Sequence, residues 1–543
     1  MKIDRRCFLS LVIGGAAGTA LTPLPWKLTD DSSIWSQNWP WTPVVAKGET
    51  FYETSACPLC PGGCGIFIRM VDDRTIKIEG QAGHPVNDGG VCVLGLSGLQ
   101  LLYSPTRVTG PMKRIGNRGS GKWEPISWDD AIGEVVAKLS DLRANAQPQK
   151  VGCISGGRYG TIPELFKRLM AAYGSPNTMT VPSLQDSLQL TMNIMHGSDA
   201  VFGYDLENAD FILSFGSGLI EGWGSPVRMF RANSGWKENG IEIVQIEPRL
   251  SNTAAKSDQW IAIKPGTEAA LAMGIMHIMI SEGLYDRNFI EQYTSGFSGW
   301  KSLVLEDYTP DKVAAITGVP AAVIQKLAKR FSGASRPLAL CGRGQGDEPL
   351  ALKEAMAIHA LNALTGNLNQ PGGVWAVPKP DYIEWPDIEM DDVSENGLAA
   401  RRIDGAGSGK YSLASSLLNR LPDAENDYAL EALLICNANP NYTMANARAF
   451  QEKIGKIPFV VSFSSYMDET AMHADLILPN HCYLERYEDL PVTAGMARPL
   501  IGLARPIVEP LFDTMNVGDV LIRIAQELGG SVADAFPWDS YEA

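Results

Sequence analysis

The sequence CPLCPGGCGIFIRM, residues 57–70, decides the fold of this chain. Its cysteines are spaced Cys-x2-Cys-x3-Cys, and one more cysteine, Cys92, follows much later. Thiolates at such short separations can converge on one metal centre, and soft thiolate sets select zinc or iron–sulfur clusters. A zinc ribbon usually repeats a Cys-x2-Cys pair, and the second pair is missing here. The spacing favours a [4Fe-4S] cluster on Cys57, Cys60, Cys64 and Cys92, and a disulfide pair plus spare thiols is the alternative.

Residues 1–25 have the pattern of a twin-arginine export signal. A basic start contains Arg5-Arg6, and Phe8-Leu9 leads into a short run rich in Gly and Ala. This route carries proteins that have already folded around a cofactor, which agrees with a cluster inserted before export. Cleavage is left open, because Gly18-Thr19-Ala20 is an acceptable but not a clean site. We expect a periplasmic protein, held at the membrane by partner subunits or by an uncleaved signal.

Composition sets wider bounds on the protein. A chain of 543 residues with 45% hydrophobic and 20% charged residues is an ordinary globular protein of several domains. Its net charge of -15 argues against nucleic acid as a partner. The acidic groups around Glu485–Asp489 are predicted to form a solvated face.

Short apolar runs recur after the cysteine segment, and each ends in a turn rich in Gly, Pro or Asn. Continuous Val/Ile/Leu runs of this kind predict buried strands of parallel sheets, with helices such as Glu268–Glu282 and Leu352–Leu364 as crossovers. There are enough of them for two doubly wound α/β domains, whose ligands bind beyond the carboxyl ends of the strands. The predicted strands lie in Lys150–Ser155, Ala209–Gly216, Ile241–Pro248, Trp260–Gly266, Pro337–Gly344, Ala432–Pro440, Phe459–Ser464 and Ala474–Pro479.

From about residue 50 to 530 the motifs resemble those of the molybdopterin-guanine-dinucleotide oxidoreductases, the dimethyl sulfoxide reductase family. The matching segments, in family order, are CPLCPGGCGIFIRM…GGVCVLGLSG, SPNTMT, IEPRLSNTAAKSDQWIAIKPGTEAALAMGI, GLYDRNFI, LNALTGNLNQPGGV and DETAMHADLILPNHCYLERYED. The resemblance implies a small cluster domain and two α/β domains that grip two pterin dinucleotides. A barrel-like fourth domain normally closes the site. We expect it to be absent, or the chain truncated, because the sequence stops at Ala543.

This resemblance divides the chain into five parts. They are the signal at 1–25, a Trp-rich arm at 26–49, a [4Fe-4S] domain at 50–109, an α/β domain made of 110–150 with 338–543, and an inserted α/β domain at 151–337.

The resemblance also assigns cofactor contacts residue by residue. The four cysteines take the cluster-ligand positions. Glu247 and Arg249 lie at a strand end that usually reads Asp-Pro-Arg and contacts a ribose, and Glu268 replaces an acid that contacts guanine. Each position also fits an ordinary strand-to-helix turn. The implied pterin contacts are Gly216, Glu221, Glu247, Arg249, Pro265, Gly266, Thr267, Glu268, Gly344 and Asn439.

Two departures from the family pattern fall between cluster and metal. The molybdenum ligand is a cysteine shortly after Ser-Pro-Asn-Thr-Phe-Thr in polysulfide- and thiosulfate-type members, and counting from residues 175–180 places Gln185 there. A neutral amide carries no anionic donor, and Ser183 or Asp186 would replace it only after a shift of register. Leu94 stands where relatives carry the Lys or Arg that bridges cluster and pterin. The sequence therefore predicts a degenerate molybdenum site beside an intact cluster.

One subgroup of the family combines these traits. The arm contains WKLTDDSSIWSQNWPWTP at residues 26–43, with four tryptophans, and resembles the start of the molybdopterin-binding-like subunits of periplasmic quinone reductase complexes. This implies three partners: a multihaem cytochrome c, a ferredoxin-like iron–sulfur subunit and an integral membrane quinone-binding subunit. Three functions stay open at this point. They are an electron-transfer subunit, which we favour, an active molybdenum bis-pterin reductase of the polysulfide or thiosulfate type, and a structural scaffold.

Overall fold

The computed structural model of this chain describes residues 4–21, 48–157, 159–342, 352–403, 428–491 and 495–543. Gly344 and most of the Trp-rich arm, residues 26–47, lie outside the described residues. The chain divides into two units, residues 1–52 with 69–76 and residues 53–68 with 77–543. The smaller unit contains the 17-residue helix α1 (Arg5–Leu21), which lies within the predicted export signal. No helix in the described ranges has the length and apolarity needed to cross a membrane.

Strands and helices alternate along the chain, as the α/β prediction requires. In chain order the described strands are β1 (Thr50–Ala56), β2 (Gly65–Val71), β3 (Arg74–Gly80), β4 (Met112–Arg114), β5 (Trp123–Pro125), β6 (Val151–Ser155), β7 (Thr178–Thr180), β8 (Val201–Tyr204), β9 (Phe211–Phe215), β10 (Glu242–Ile246), β11 (Gln259–Ile261), β12 (Pro337–Cys341), β13 (Val374–Val377), β14 (Ala432–Cys436), β15 (Phe459–Ser462), β16 (Leu476–Ile477), β17 (Glu488–Pro491) and β18 (Ile501–Ala504). The described helices after α1 are α2 (Val93–Leu102), α3 (Trp128–Ala144), α4 (Thr161–Tyr173), α5 (Leu184–His196), α6 (Pro226–Asn239), α7 (Asn252–Lys256), α8 (Glu268–Ser281), α9 (Arg287–Tyr293), α10 (Phe297–Asp307), α11 (Pro310–Thr317), α12 (Ala321–Gly333), α13 (Leu352–Leu364), α14 (Asp392–Leu398), α15 (Pro440–Thr443), α16 (Ala447–Ile454), α17 (Val517–Leu528) and α18 (Gly530–Asp534).

The larger sheet has the strand order β5-β4-β16-β15-β14-β6-β7. Strands β16, β15, β14, β6 and β7 pair in parallel, while β4 and β5 form an antiparallel edge. The strand β14 is buried at every position. Its Leu434 packs into a core with α3, α4 and α17, and its Leu433 packs into a second core with α16. A parallel sheet covered on both faces needs continuously apolar strands, which is the pattern in the sequence.

The smaller sheet is parallel throughout, with the order β11-β10-β9-β12. Its core is shared with the helices α5, α8, α12 and α13. The strands of this sheet follow β7 in the chain and precede β14, so this α/β unit is inserted between strands of the larger sheet. The antiparallel pair of β8 and β13 belongs to the same insertion. Each predicted apolar run overlaps an observed strand, and the two predicted helices correspond to α8 and α13.

The sheets differ from the predicted domain boundaries at two strands. The sequence division assigns Val151–Ser155 to the inserted domain, but β6 pairs with β14 of the larger sheet. It assigns residues from 338 onward to the other domain, but β12 pairs with β9 of the smaller sheet. The insertion therefore begins after Thr180 and continues through β13. Buried parallel strands have the same apolar pattern in either sheet, so only the long-range pairing reveals which sheet a strand joins.

Candidate functional site

The cysteine loop begins where β1 ends and is closed by its own backbone. The Cys57 N–H donates to the carbonyl oxygen of Cys64 over 2.8 Å. Inside the loop, the Gly62 N–H donates to the sulfur of Cys60 with an N···S distance of 3.4 Å, and Gly63 adopts a φ of 56°. Glycine is suited to both tasks because it has no Cβ. Cys92 is the N-cap of α2, so the fourth thiol lies at the positive end of a helix.

The four thiols lie within electrostatic reach of one another. Burial raises the pKa of the Cys57 thiol to about 12, and the thiols of Cys60, Cys64 and Cys92 contribute to the shift. Burial likewise raises the pKa of Cys64 to about 11. Ionising the four thiols together therefore needs a cationic centre between them, and iron is such a centre. All nine cysteines are free thiols, so the disulfide alternative is wrong.

The quartet can also be compared with the cage of a single metal ion. Within the described ranges no three His, Cys, Asp or Glu side chains are arranged to hold one metal ion. A [4Fe-4S] cluster occupies more space than one ion, and its ligands stand farther apart, so the two observations are compatible.

Two adjoining cavities lie beside this loop. The Gln185 cavity, of about 360 Å³, is lined by Cys60 and Gln185 among others. The Tyr483 cavity, of about 450 Å³, is lined by Tyr483 and Asn439 among others. The two cavities share Pro58 and Gly156 in their walls and form one groove.

The carboxyl ends of parallel strands build one wall of the groove. Gly156 follows β6, Val181 follows β7, Asn437 follows β14, and Ser464 comes shortly after β15. Parallel strands present these ends at one edge of the sheet, which is where ligands bind in doubly wound folds. The turns therefore meet in one groove beyond the carboxyl ends of the strands, where the sequence predicts that ligands bind.

The predicted molybdenum-ligand position faces this groove. Gln185 lines the cavity together with Cys60 and Ser183. Asp186 is buried, and its Oδ2 atom accepts the Ser183 N–H over 2.9 Å at the start of α5. The Asp186 carboxylate therefore stabilises the helix start, as N3 acids of capping boxes do, and does not line the cavity. Ser183 is the remaining alternative to Gln185 among the residues that the sequence singles out.

Leu94 lies on the half-exposed side of α2, with 51% of its surface accessible. Residues three and four apart share a helix face, which places Leu94 one turn before Gly98 and two before Leu101. Leu101 lines the Tyr483 cavity. Leu94 is thus an apolar residue at the position where the family resemblance implies a cation.

The prediction of a solvated face around Glu485–Asp489 is wrong at Glu485. This carboxylate is buried and accepts both terminal nitrogens of Arg107, over 2.8 and 2.6 Å. It also accepts the N–H groups of Leu511 (2.9 Å) and Cys482 (2.7 Å). Burial alone would raise the pKa of Glu485, but the hydrogen bonds from Arg107, Leu511 and Cys482 lower it below its usual value. The sequence hides this pair because its members are 378 residues apart.

Arg486 is a second residue that sequence reasoning missed. It lines the Tyr483 cavity, and its Nη2 atom donates to Glu488 over 2.6 Å. Glu488 and Asp489 are half-buried and line the Gln185 cavity. Asp489 accepts the Thr161 N–H at the start of α4 over 2.9 Å. The groove therefore carries both signs of charge close to the cysteine loop.

Several predicted nucleotide contacts meet at the carboxyl edge of the smaller sheet. Glu221 accepts the Thr253 hydroxyl over 2.9 Å and lies 3.7 Å from a terminal nitrogen of Arg249. Glu247 is buried and hydrogen-bonds to Ser251. Gly216 follows β9 with a φ of 70°, which favours glycine.

The other predicted contacts lie nearby or in the second domain. Pro265, Gly266 and Thr267 follow β11, and Glu268 is the buried first residue of α8. Asn439 lies apart from them in the Tyr483 cavity and donates to Glu469 over 2.6 Å. Gly344 lies outside the described residues.

Orphaned polar atoms show that this edge suits a polar ligand. Trp223 Nε1, Ser217 Oγ and Gln245 Oε1 are buried and find no hydrogen-bond partner among the described residues. Leaving such atoms unpaired costs about 1–3 kcal/mol each. A pterin dinucleotide is rich in donors and acceptors, so the smaller domain fits that ligand. The groove beside Cys60 fits a metal poorly, because Gln185 has no anionic donor.

Two consecutive segments of the chain match known protein families. Residues 52–104 match the molybdopterin oxidoreductase Fe4S4 domain, and residues 107–526 match the family described as molybdopterin oxidoreductase. The chain belongs to the molybdopterin oxidoreductase family. Its N-terminal region is accordingly a [4Fe-4S] domain, and the predicted ligand cysteines all lie in it.

Relatives with curated names extend this finding. The chain is 35% identical over 540 residues to the menaquinone reductase, molybdopterin-binding-like subunit of Nitratidesulfovibrio vulgaris. The aligned region covers 97% of this chain and 72% of that protein. This chain is also 30% identical to the thiosulfate reductase molybdopterin-containing subunit PhsA of Salmonella typhimurium. That match covers 100% of this chain and 71% of PhsA. The solved structure of acetylene hydratase from Pelobacter acetylenicus has the same fold, with a TM-score of 0.73 and 22% identity over 90% of this chain and 70% of that one.

Proposed function

We propose that this protein is the electron-transfer [4Fe-4S] subunit of a membrane-associated, quinone-linked respiratory complex, with a degenerate molybdenum site. The observation that carries the proposal is Gln185 in the groove wall beside Cys60, where molybdenum would need an anionic ligand. Asp186, the nearest carboxylate along the chain, is committed to the start of α5. The relative named menaquinone reductase, molybdopterin-binding-like subunit supports the same role.

A bound cluster supplies one-electron exchange, and the chain contributes its placement. Cys57 and Cys64 are buried, which keeps water from that side of the loop. Cys60 and Cys92 are only partly buried. A partly exposed pair of ligands suits a centre that exchanges electrons with other proteins.

The partners in this proposal are a multihaem cytochrome c, a ferredoxin-like iron–sulfur subunit and an integral membrane quinone-binding subunit. The location is the periplasm, reached through the twin-arginine signal at residues 1–25. Copurification tests the assembly: the tagged chain, isolated anaerobically from its own membranes, should bring down a haem-containing and a quinone-binding subunit. A chain that is recovered alone after mild detergent extraction would contradict the proposal.

Metal analysis tests the degenerate site. The anaerobically purified protein should contain about four iron atoms per chain, as a [4Fe-4S] cluster requires, and no stoichiometric molybdenum or tungsten. Stoichiometric metal together with guanine nucleotide released by acid would sink this part of the proposal. Ser183→Ala should leave the reduction of a quinone analogue by the complex unchanged, because no metal depends on Ser183.

An active bis-pterin reductase of the polysulfide or thiosulfate type is the second candidate. The unpartnered Trp223, Ser217 and Gln245 atoms favour it, and so does the relative named thiosulfate reductase. In that case Ser183 is the available anionic ligand, and Ser183→Ala should abolish thiosulfate reduction driven by reduced viologen. A scaffold role is the third candidate, and it requires a cluster signal that does not respond at potentials bracketing the quinone pool.

A further inference from the structure

Tyr483 carries a buried hydroxyl group that the proposed function does not use. Only 5% of the residue is exposed, and its Oη atom has no hydrogen-bond partner among the described residues. An unsatisfied buried hydroxyl is destabilising, and most native proteins avoid it. The hydroxyl is therefore able to bond to a group outside the described residues.

A glycine on α2 makes room for this hydroxyl. An ideal Cβ built on Gly98 would lie 2.3 Å from Tyr483 Oη, so no larger residue fits unless the tyrosine moves. Gly95 precedes Gly98 by three residues, and its ideal Cβ would lie 3.9 Å from the sulfur of Cys57. Residues three apart on a helix have Cβ positions about 5–6 Å apart on one face. Tyr483 Oη and the Cys57 sulfur therefore lie along the same glycine-lined face of α2.

Charge and protonation suit a donor to sulfur. Burial raises the pKa of Tyr483 well above its usual value, and the Cys57 thiolate adds to that shift. A tyrosine hydroxyl is protonated at neutral pH and is able to donate to the thiolate that a bound cluster requires. The same side chain lines the Tyr483 cavity, so a ligand in the groove is the competing partner.

We propose that the Tyr483 hydroxyl donates a hydrogen bond to a sulfur of the [4Fe-4S] cluster on its Cys57 side and so raises the cluster's reduction potential. Reduction adds an electron to the cluster and makes its sulfurs better acceptors, so the bond stabilises the reduced state more than the oxidised state. The inference deepens the proposed relay but rests only on the presence of the cluster. It therefore stands or falls separately from the identity of the partners.

The test is Tyr483→Phe in the full-length holoprotein, titrated anaerobically with the reduced cluster followed by electron paramagnetic resonance. We expect the equilibrium constant for one-electron reduction to fall about tenfold, which corresponds to a midpoint potential lower by about 59 mV. Tyr466→Phe is the matched control, because Tyr466 lines the same cavity and its hydroxyl already donates to the Leu101 carbonyl oxygen over 3.0 Å. An unchanged potential in Tyr483→Phe at unchanged iron content would overturn the inference and assign the hydroxyl to a ligand in the groove.

If Tyr483→Phe does not load a cluster, a second measurement tests the hydrogen bond. The Tyr159→Phe/Tyr466→Phe protein is grown with ring-deuterated tyrosine, because Tyr159 lines the cavity beside Cys60 and Tyr466 lines the Tyr483 cavity, and neither should carry the label. Pulsed resonance on the reduced cluster should then detect deuterium coupling. A spectrum without deuterium modulation would place the Tyr483 ring too far from the cluster and refute the bond.

Discussion

Glu485→Gln tests how much the buried ion pair of Arg107 and Glu485 stabilises the protein beside the groove. The substitution keeps the shape of the side chain but replaces one carboxylate oxygen with an NH2 group. That oxygen accepts two N–H donors in the folded protein, one from Arg107 and one from the backbone of Leu511 or Cys482. The new NH2 group is a donor and would lie against two N–H donors without an acceptor. The guanidinium of Arg107 would also lose its counter-charge.

The magnitude follows from burial. The side chains of Arg107 and Glu485 are 1% and 0% exposed, so water cannot take over the lost bonds. Breaking a buried pair by removing one charge costs about 3–5 kcal/mol. For a domain of a few hundred residues each kcal/mol lowers the melting temperature by roughly 2–4 °C, so we expect a fall of roughly 6–20 °C. Arg107 also donates to the Leu102 carbonyl oxygen at the end of α2, over 3.1 Å, so iron should be lost faster as well.

The assay is thermal unfolding of the purified holoprotein, with iron release measured in parallel. Glu79→Gln is the matched control, because Glu79 pairs with Lys77 at the surface and such pairs contribute about 0–1 kcal/mol. The pH dependence gives a second check. Since hydrogen bonding lowers the folded pKa of Glu485, its contribution is complete above the usual value of about 4.3 and is lost as the pH falls through the folded value. If the melting temperatures of Glu485→Gln and Glu79→Gln at pH 7 differ by less than about 1 °C, the reasoning is refuted.

Two further predictions need simpler measurements. Cys92→Ser should lose most of its iron and the broad visible absorbance of the cluster, whereas Cys153→Ser should keep both, because Cys153 is buried in β6 away from the quartet; equal iron in the two variants would contradict the ligand assignment. Replacing Arg5 and Arg6 together by Lys should leave the protein in the cytoplasmic fraction, since the export pathway recognises the arginine pair; normal recovery from the periplasm would remove the twin-arginine assignment.

Much of the fold was accessible from local patterns. The apolar runs at Ala432–Pro440 and Phe459–Ser464 overlap β14 and β15, because a fully buried parallel strand must be apolar on both sides. The described residues Leu352–Leu364 are helical throughout, and the helix ends where its sequence predicts. The division of strands between sheets was not accessible in this way. Val151–Ser155 has the same local pattern as its neighbours, and only its pairing with β14 assigns it to the larger sheet.

The groove shows the same contrast. The sequence identifies Gln185 and Leu94 as departures from the family pattern, and the structure adds that Gln185 shares a cavity with Cys60. Nothing near Glu485 along the chain indicates that it is buried, because its partner Arg107 is contributed by a distant segment. The sequence does not predict a role for Tyr483 for the same reason, since the proposed role depends on its position beside Gly98 and Cys57.

The sequence by itself determined the spacing of the cluster ligands, the strands and helices, and the family. Each of these depends on residues close together in the chain, where ligand reach and hydrophobic period are local properties. Only the tertiary structure decided which strand ends meet in the groove and which charges are buried beside it. It also decided which hydroxyl lies beside the glycine-lined face of α2. Those relations join segments hundreds of residues apart, and they exist only once the sheets have paired and the side chains have packed.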